Sequence, residues 1–404
     1  MGAQNKPIMK FGEFVALMAM MISLTALSID AMLPALTEIG SDLGVIEAND
    51  NQLIISILFL GLAFGQLFYG PLSDGIGRKP SVYIGLLFFA IGCLVSIFAE
   101  SLTVMLIGRG LQGFGLSGTR TISVAIIRDR FKGAQMAQVM SFVMATFIIV
   151  PTLAPFLGQG ILLIAHWRFI FWTILGLGFI LFLWFTIRQQ ETLPKEKRTK
   201  FEIDKMASAA IEVFTTRVSI GYTIAAGFIS SAFVGFLNSS QQVFQVQFGL
   251  GEQFPMFFAI IALSVGTASF INGKMVIRYG MKIMVRIASI CVSVLSILFL
   301  GLMLGYIQSP SLLLFMIYLC TTVFFVGILF GNLNSMAMEP LGHIAGMGAA
   351  IVGALSTFIS VPFGTYIGQL YDGTVQPMVL GFAFFGTLAA LIIWISEKST
   401  AEQK

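Results

Sequence analysis

Three ionisable residues stand where ionisable residues are costly: Asp30, Arg109 and Arg120 each lie inside a long apolar run. A charge held in hydrocarbon costs about 2.5–3.5 kcal/mol on insertion scales unless it meets a partner or a wet cavity. A carboxylate kept at that expense can be a site where protons and substrate compete, which makes Asp30 the leading proton-coupling candidate. The bland alternative is that Asp30, four residues before Pro34, merely ends a helix near the headgroups. Arg109 and Arg120 are eleven residues apart, close to three helical turns, so they share one face with Gln112 and Leu116. Arg120 has two competing readings. It is either a second cavity cation, selecting a substrate with an acidic or strongly polar group or offsetting Asp30, or it snorkels to the headgroups. Asn238, Gln241, Gln242 and Gln245 recur at helical spacing on a later segment. Uncharged amides can hydrogen-bond a substrate without fixing its charge. With Asp30, Gln112 and Arg120 they make up the expected substrate cavity, and helix–helix hydrogen bonding is their competing use.

The elements that must position these residues are membrane spans. Of 404 residues, 57% are hydrophobic and only 10% charged, against about a quarter charged in soluble domains. That balance excludes a secreted, cytosolic or DNA-binding protein, and a net charge of +4 gives no case for nucleic acid. Cys93, Cys291 and Cys320 sit singly in apolar runs, so neither a disulfide framework nor a metal cluster is expected. His166 and His343 lie near loop ends without a partner at metal-ligand spacing. A helix needs about 20 apolar residues to cross the hydrocarbon layer. Twelve segments qualify, approximately 12–34, 49–72, 81–99, 101–126, 136–164, 168–187, 216–246, 254–273, 283–305, 310–337, 344–370 and 375–396. Their continuous, non-alternating character selects helices over barrel strands. The first is a retained span, since it is long, carries Asp30 and lacks a small-residue cleavage site.

With both termini cytoplasmic, every Lys and Arg falls on the inner side except Arg109, Arg120 and Arg168, while the first outer loop carries Glu38, Asp42, Glu47 and Asp50. The positive-inside rule thus fixes the expected orientation. A polar linker, 188–215, separates six spans in residues 1–187 from six in 216–404. Gly70, Gly77 and Lys79 recur as Gly273, Gly280 and Lys282, each offset by 203 residues. The echo and the even division suggest two related six-helix bundles facing each other across a central path.

The densest motif is Gly65-Gln66-Leu67-Phe68-Tyr69-Gly70-Pro71-Leu72-Ser73-Asp74-Gly75-Ile76-Gly77-Arg78-Lys79-Pro80. It ends one span and opens the next. Gly and Pro suit a tight turn, Asp74 suits a helix N-terminus, and Arg78 can pair with a carboxylate across the loop. It resembles the signature loop of the major facilitator superfamily. Ser28-Ile29-Asp30-Ala31-Met32-Leu33-Pro34-Ala35, Arg128-Asp129, Ala154-Pro155 with Gly158, Trp167-Arg168 with Phe171, Glu191-Thr192-Leu193-Pro194 and Asn334-Ser335-Met336-Ala337 narrow the resemblance. Together they are similar to the bicyclomycin- and chloramphenicol-resistance (Bcr/CflA) drug:proton antiporters.

The resemblance implies an all-α major facilitator fold of twelve transmembrane helices in two pseudo-symmetric bundles. Such a protein works by alternating access in a bacterial inner membrane. It implies that Arg109, with Gln112 and Gly113, hydrogen-bonds towards span one and couples protonation to movement; an arginine satisfied by helix carbonyls is the structural alternative. It implies a cytoplasmic gate of Gly70, Asp74, Gly77, Arg78, Arg128 and Asp129. In the outward-open form Arg78 would pair with Asp129, and Asp74 would cap a second-half helix such as span eleven. Ile277 stands where the first half has Asp74, so the latch would be one-sided. Pro151, Pro155 and Gly158 in span five are the expected hinge. Arg120 stands outside the pattern. The expected activity is proton-coupled export of small amphipathic compounds by one polypeptide, driven by the proton gradient with no cofactor. A specific metabolite exporter is the alternative, and a non-transporting receptor or channel is disfavoured by the 6 + 6 duplication. No phosphate-binding loop and no convergent catalytic set suggests an enzyme.

Overall fold

A computed structural model describes residues 9–198, 203–307 and 309–401. Among these the chain is helical, with no strand. Six long helices make the first half: α1 (Phe11–Asp30), α2 (Leu53–Ile76), α3 (Arg78–Ile97), α4 (Leu102–Arg130), α5 (Gly133–Leu162) and α6 (Arg168–Arg188). Six more make the second: α7 (Arg217–Gln241), α8 (Phe254–Tyr279), α9 (Met281–Gly305), α10 (Leu312–Met338), α11 (Ala345–Gln369) and α12 (Gln376–Ala401). By length and composition alone ten stretches can cross a membrane. One of them, Leu312–Gln369, is α10 and α11 joined by the 3₁₀ turn Glu339–Ile344. The stretch missing from the ten is α4, diluted by its two arginines and its glycines. The expected twelve helices are therefore present in this multi-pass membrane protein.

The ends of the bundle differ in charge. Arg78, Arg128 and Arg188 mark a basic end; Glu38, Asp42 and Asp50 mark an acidic end. At the basic end α2 joins α3 through Gly77 (φ +110°), and α8 joins α9 through Gly280 (φ +80°). Both turns need a left-handed backbone that a side chain disfavours, so the 203-residue echo marks the same structural corner twice. Ser101 caps α4 and Ser311 caps α10, each hydroxyl accepting the N–H three residues on at 3.4 Å. Within the first half α4 packs between α2 and α3, and α1 lies against α5. Across the halves, α2 packs on α11 and α5 on α8.

Three boundaries depart from expectation. The signature segment is not a loop from Gly70 onward: α2 continues through Pro71 to Ile76, and the turn is delayed to Gly77. A proline costs the helix one donor and can be accommodated with a bend. The linker holds a helix of its own, Ile203–Thr215, whose Glu212 meets His343 at 2.8 Å before α11. The first span stops at Asp30, followed by a 3₁₀ turn at Leu33–Ala35 and a short helix, Leu36–Asp42.

Candidate functional site

Asp30 ends α1 with only 6% of its surface accessible. Among the described residues its carboxylate has no hydrogen bond and no ion pair. α5 lies directly over the next peptide: a Cβ on Gly158 would collide with the Ala31 carbonyl, so the two helices meet backbone to backbone. Pro151 and Pro155 interrupt the α5 ladder just below. Between α1, α5 and α6 lies a wholly apolar cavity of about 290 Å³, lined in part by Met20, Leu24, Leu27, Leu153 and Leu181.

Arg109 is fully buried one level from Asp30. Its Nη2 donates to the Ser28 carbonyl at 3.1 Å, its Nε to the Ile54 carbonyl at 3.1 Å, and its Nη1 to Gln112 Oε1. The guanidinium lies 5.8 Å from the Phe171 ring centre. One planar fork thus ties α4 to α1 and α2 while facing α6, which a lysine's point charge cannot do. Gln112 in turn donates to Cys93 Sγ at 3.1 Å. Arg109 therefore points towards span one without touching Asp30 itself. Gln112 is fully buried in this network and does not line an opening, contrary to its expected place in the cavity.

Arg120 behaves differently. It is exposed, although Leu116 and Ser123 on either side of it are buried. No described residue hydrogen-bonds or pairs with it. Helical rise puts it about 16 Å from Arg109 towards the basic end, too far for it to offset Asp30.

The amide stripe faces the other half rather than a cavity. Asn238 Nδ2 donates to Ser56 Oγ at 2.9 Å, and Gln241 Nε2 to Thr37 Oγ1 at 2.7 Å. Gln242 accepts from Gln52 and donates to Asn49 Oδ1 at 2.9 Å. Asn49 Nδ2 reaches the carbonyls of Gln369 (3.0 Å) and Tyr371 (2.9 Å), and its own carbonyl accepts from Gln369 Nε2 at 2.8 Å. Thr365 Oγ1 adds a bond to Ser56 Oγ at 2.7 Å. The result is an uncharged lattice sealing the acidic end between the halves. Gln245 closes onto Gln241 at 2.6 Å. The backbone from Gln242 to Gln247 widens into a π-helical turn, a feature common at functional positions. In this form of the molecule Asn238, Gln241 and Gln242 therefore face the first half rather than an open cavity, and Gln245 bonds within its own half: helical spacing identified their face, and the first bundle covers it. Tyr371, in the loop after α11, also donates to the Gln242 carbonyl at 3.3 Å. Burial and the neighbouring Asp372 carboxylate push its phenol up from its ordinary value, keeping it a donor.

At the basic end Arg78 binds Asp129 at 2.9 Å and Asp74 at 2.5 Å. All three belong to the first half, so in this form Asp74 caps no second-half helix. Gly70 looks towards the second half: a Cβ added there would lie 3.9 Å from the Ala350 methyl group, with no clash. Arg128 is exposed at the α4 terminus, and its neighbour Arg130 lies over the Phe14 ring at 4.7 Å. The residue that sequence reasoning missed is Glu191. Its two carboxylate oxygens accept the N–H groups of Arg78 and Lys79, each at 3.0 Å, and so cap α3 from the start of the linker. Lys79 Nζ reaches back to the Thr186 and Gln189 carbonyls at the end of α6. The signal was present in the Glu191-Thr192-Leu193-Pro194 motif, but spacing alone does not show which helix a distant carboxylate caps.

Comparison with known proteins adds to this geometry. The profile of the Major Facilitator Superfamily matches residues 14–365. An uncharacterised MFS-type transporter, YdgK of Bacillus subtilis, is 31% identical, over 92% of this chain and 94% of its own. A bicyclomycin resistance protein homologue of Haemophilus influenzae is 29% identical over 91% of each. Among solved structures, the xylose transporter XylE from E. coli, in a partially occluded inward-open form, superposes with a TM-score of 0.71. It shares 14% identity, over 94% of this chain and 96% of that one, a likeness of fold alone.

Proposed function

The chain belongs to the major facilitator superfamily, and from that premise we propose that it exports small amphipathic compounds from bacterial cells in exchange for protons. The basic end faces the cytoplasm, in keeping with its charge, and both termini lie there. The lattice at the acidic end then closes the outer mouth. One chain is the working unit. Energy comes from the proton gradient without a cofactor, and the cargo leaves chemically unchanged. The relative described as a bicyclomycin resistance homologue supports a drug-like cargo.

The observation that carries this reading is Asp30. A carboxylate without a partner, nine-tenths buried beneath the outer lattice and one level from an anchored arginine, is costly as a structural feature. It serves as a proton site reached from one side at a time, alternating with the cargo. Gly158 and the two prolines of α5, packed on the peptide after Asp30, give protonation a direct mechanical path to the bundle interface.

The test is uptake into proteoliposomes under an imposed pH gradient, with neutral, cationic and anionic amphiphiles. Gradient-driven movement in the parent protein and its loss in Asp30→Asn, with substrate binding retained, is the expected result. Retained gradient-driven uptake in Asp30→Asn overturns the assignment. Movement of one compound to the exclusion of the panel favours the specific-exporter alternative.

A further inference from the structure

Arg120 is the one arginine in the described spans that is both exposed and without a partner deep within a helix. Its direction follows from the helix it sits on. Val104 and Ile107, the exposed apolar side chains of α4 (38% and 56%), lie about 140–160° around the axis from Arg120 at 100° per residue. Arg120 thus lies on the face opposite Val104 and Ile107, the face it shares with the buried Arg109, Leu116 and Ser123. On that inward face Arg109, one of its fellow stripe residues, reaches the Ser28 carbonyl of α1, which identifies the direction as the α1 side of the bundle.

Depth argues against the headgroup reading. Arg120 is ten residues, about 15 Å, from the end of α4 at Arg130, and six residues, about 9 Å, from the end of the expected apolar span at 126. Its neighbours on the same face, Leu116, Ser123 and Ile127, are buried, so the accessible surface at Arg120 is an isolated interior opening. A guanidinium there keeps five donors and a fixed charge with no described residue to receive them. Asp30 is too distant to neutralise it.

We propose that Arg120 is a substrate-binding residue that recognises an anionic group, such as a carboxylate, sulfonate or phosphate, on an otherwise apolar cargo. The planar fork suits a two-oxygen anion. Exposed aromatic surface for the apolar remainder is present on the adjoining helix α2, at Phe64 and Phe68, and Phe64 meets Phe358 of the second half edge-on at 4.9 Å. Proton coupling at Asp30 and charge recognition at Arg120 thus occupy separate levels of one pathway. The inference rests on the transport reading only in naming the bound molecule a cargo.

Equilibrium binding of three matched probes to the purified full chain tests it: 2-naphthoate, 2-naphthalenemethanol and 2-naphthylmethylammonium, with binding to empty micelles subtracted. The parent is expected to bind naphthoate about tenfold or more tightly than the alcohol, in line with a charge-assisted bond. Arg120→Gln is expected to bring that ratio within about twofold of unity, and Arg120→Lys to keep part of it. Gly160→Ala, which has open space beside it and lies outside the binding machinery, is expected to leave the ratio unchanged. A ratio near one in the parent, an unchanged ratio in Arg120→Gln, or equal weakening for all three probes overturns the proposal. Arg120→Lys carries the test if Arg120→Gln fails to fold. Because binding is read without a gradient, failure of proton-driven export leaves the charge preference measurable.

Discussion

Replacing Asn49 by alanine removes three side-chain hydrogen bonds that cross between the halves: two donated to Gln369 and Tyr371 carbonyls, and one accepted from Gln242. The backbone bond from Gln369 to the Asn49 carbonyl stays. Each neutral bond contributes about 0.5–1.5 kcal/mol net. The freed carbonyls lie at a partly buried rim where water can replace the lost donor, so no large penalty for orphaned groups is added. The closed acidic end should weaken by about 2–3 kcal/mol, a shift of about 30- to 150-fold in the ratio of open to closed forms. The assay is pulsed electron spin resonance between labels at Ile46 and Val246. These positions are 94% and 63% exposed, on opposite halves at the acidic end, and the background lacks Cys93, Cys291 and Cys320. A new, longer distance should gain population in Asn49→Ala. A change in the population ratio under about threefold would refute the view that these amides hold the halves together.

Two further outcomes follow from particular contacts. Glu191→Ala strips the cap from the first turn of α3; it should cost about 1–2 kcal/mol and lower the thermal midpoint by a few degrees, and an unchanged midpoint would show that water satisfies those N–H groups equally well. Gly158→Ala drives a methyl group into the Ala31 carbonyl and should cost about 1–3 kcal/mol together with transport. Gly160→Ala, with open space beside it, should change neither, and equal behaviour of the two variants in melting and uptake would remove the close approach of α1 and α5 from the argument.

The helices were legible because each must carry about 20 apolar residues through lipid, a requirement written into the chain. Even α4 was readable despite its arginines, since the charges around it alternate sides. The linker helix was not, because it follows the charge-dense run Pro194-Lys195-Glu196-Lys197-Arg198, which reads as solvated connection, and its contact with the second half depends on His343. Arg109 could be located by type and depth. The direction of the amide stripe could not, because helical spacing gives a face and leaves open what covers it. Asn238 and Gln242 are thus found in a seal between halves, where Ser56, Gln52 and Asn49, none adjacent in sequence, meet them. Glu191 was hidden for the same reason: its partners lie more than a hundred residues away.

The seal at the acidic end is built from amides, hydroxyls and backbone carbonyls. Among the ionisable groups at this end, Asp42, His166 and Arg168 pair with one another inside the first half, and none of the side-chain bonds of the seal is made by a carboxylate or a cation. Such a clasp has no charge to gain or lose when the surroundings turn sour or salty. Its grip therefore stays constant while external conditions fluctuate, and acidity acts on the cycle only through whatever titratable group lies behind it. A cell that acidifies its own medium would keep a door whose stiffness does not drift with growth phase.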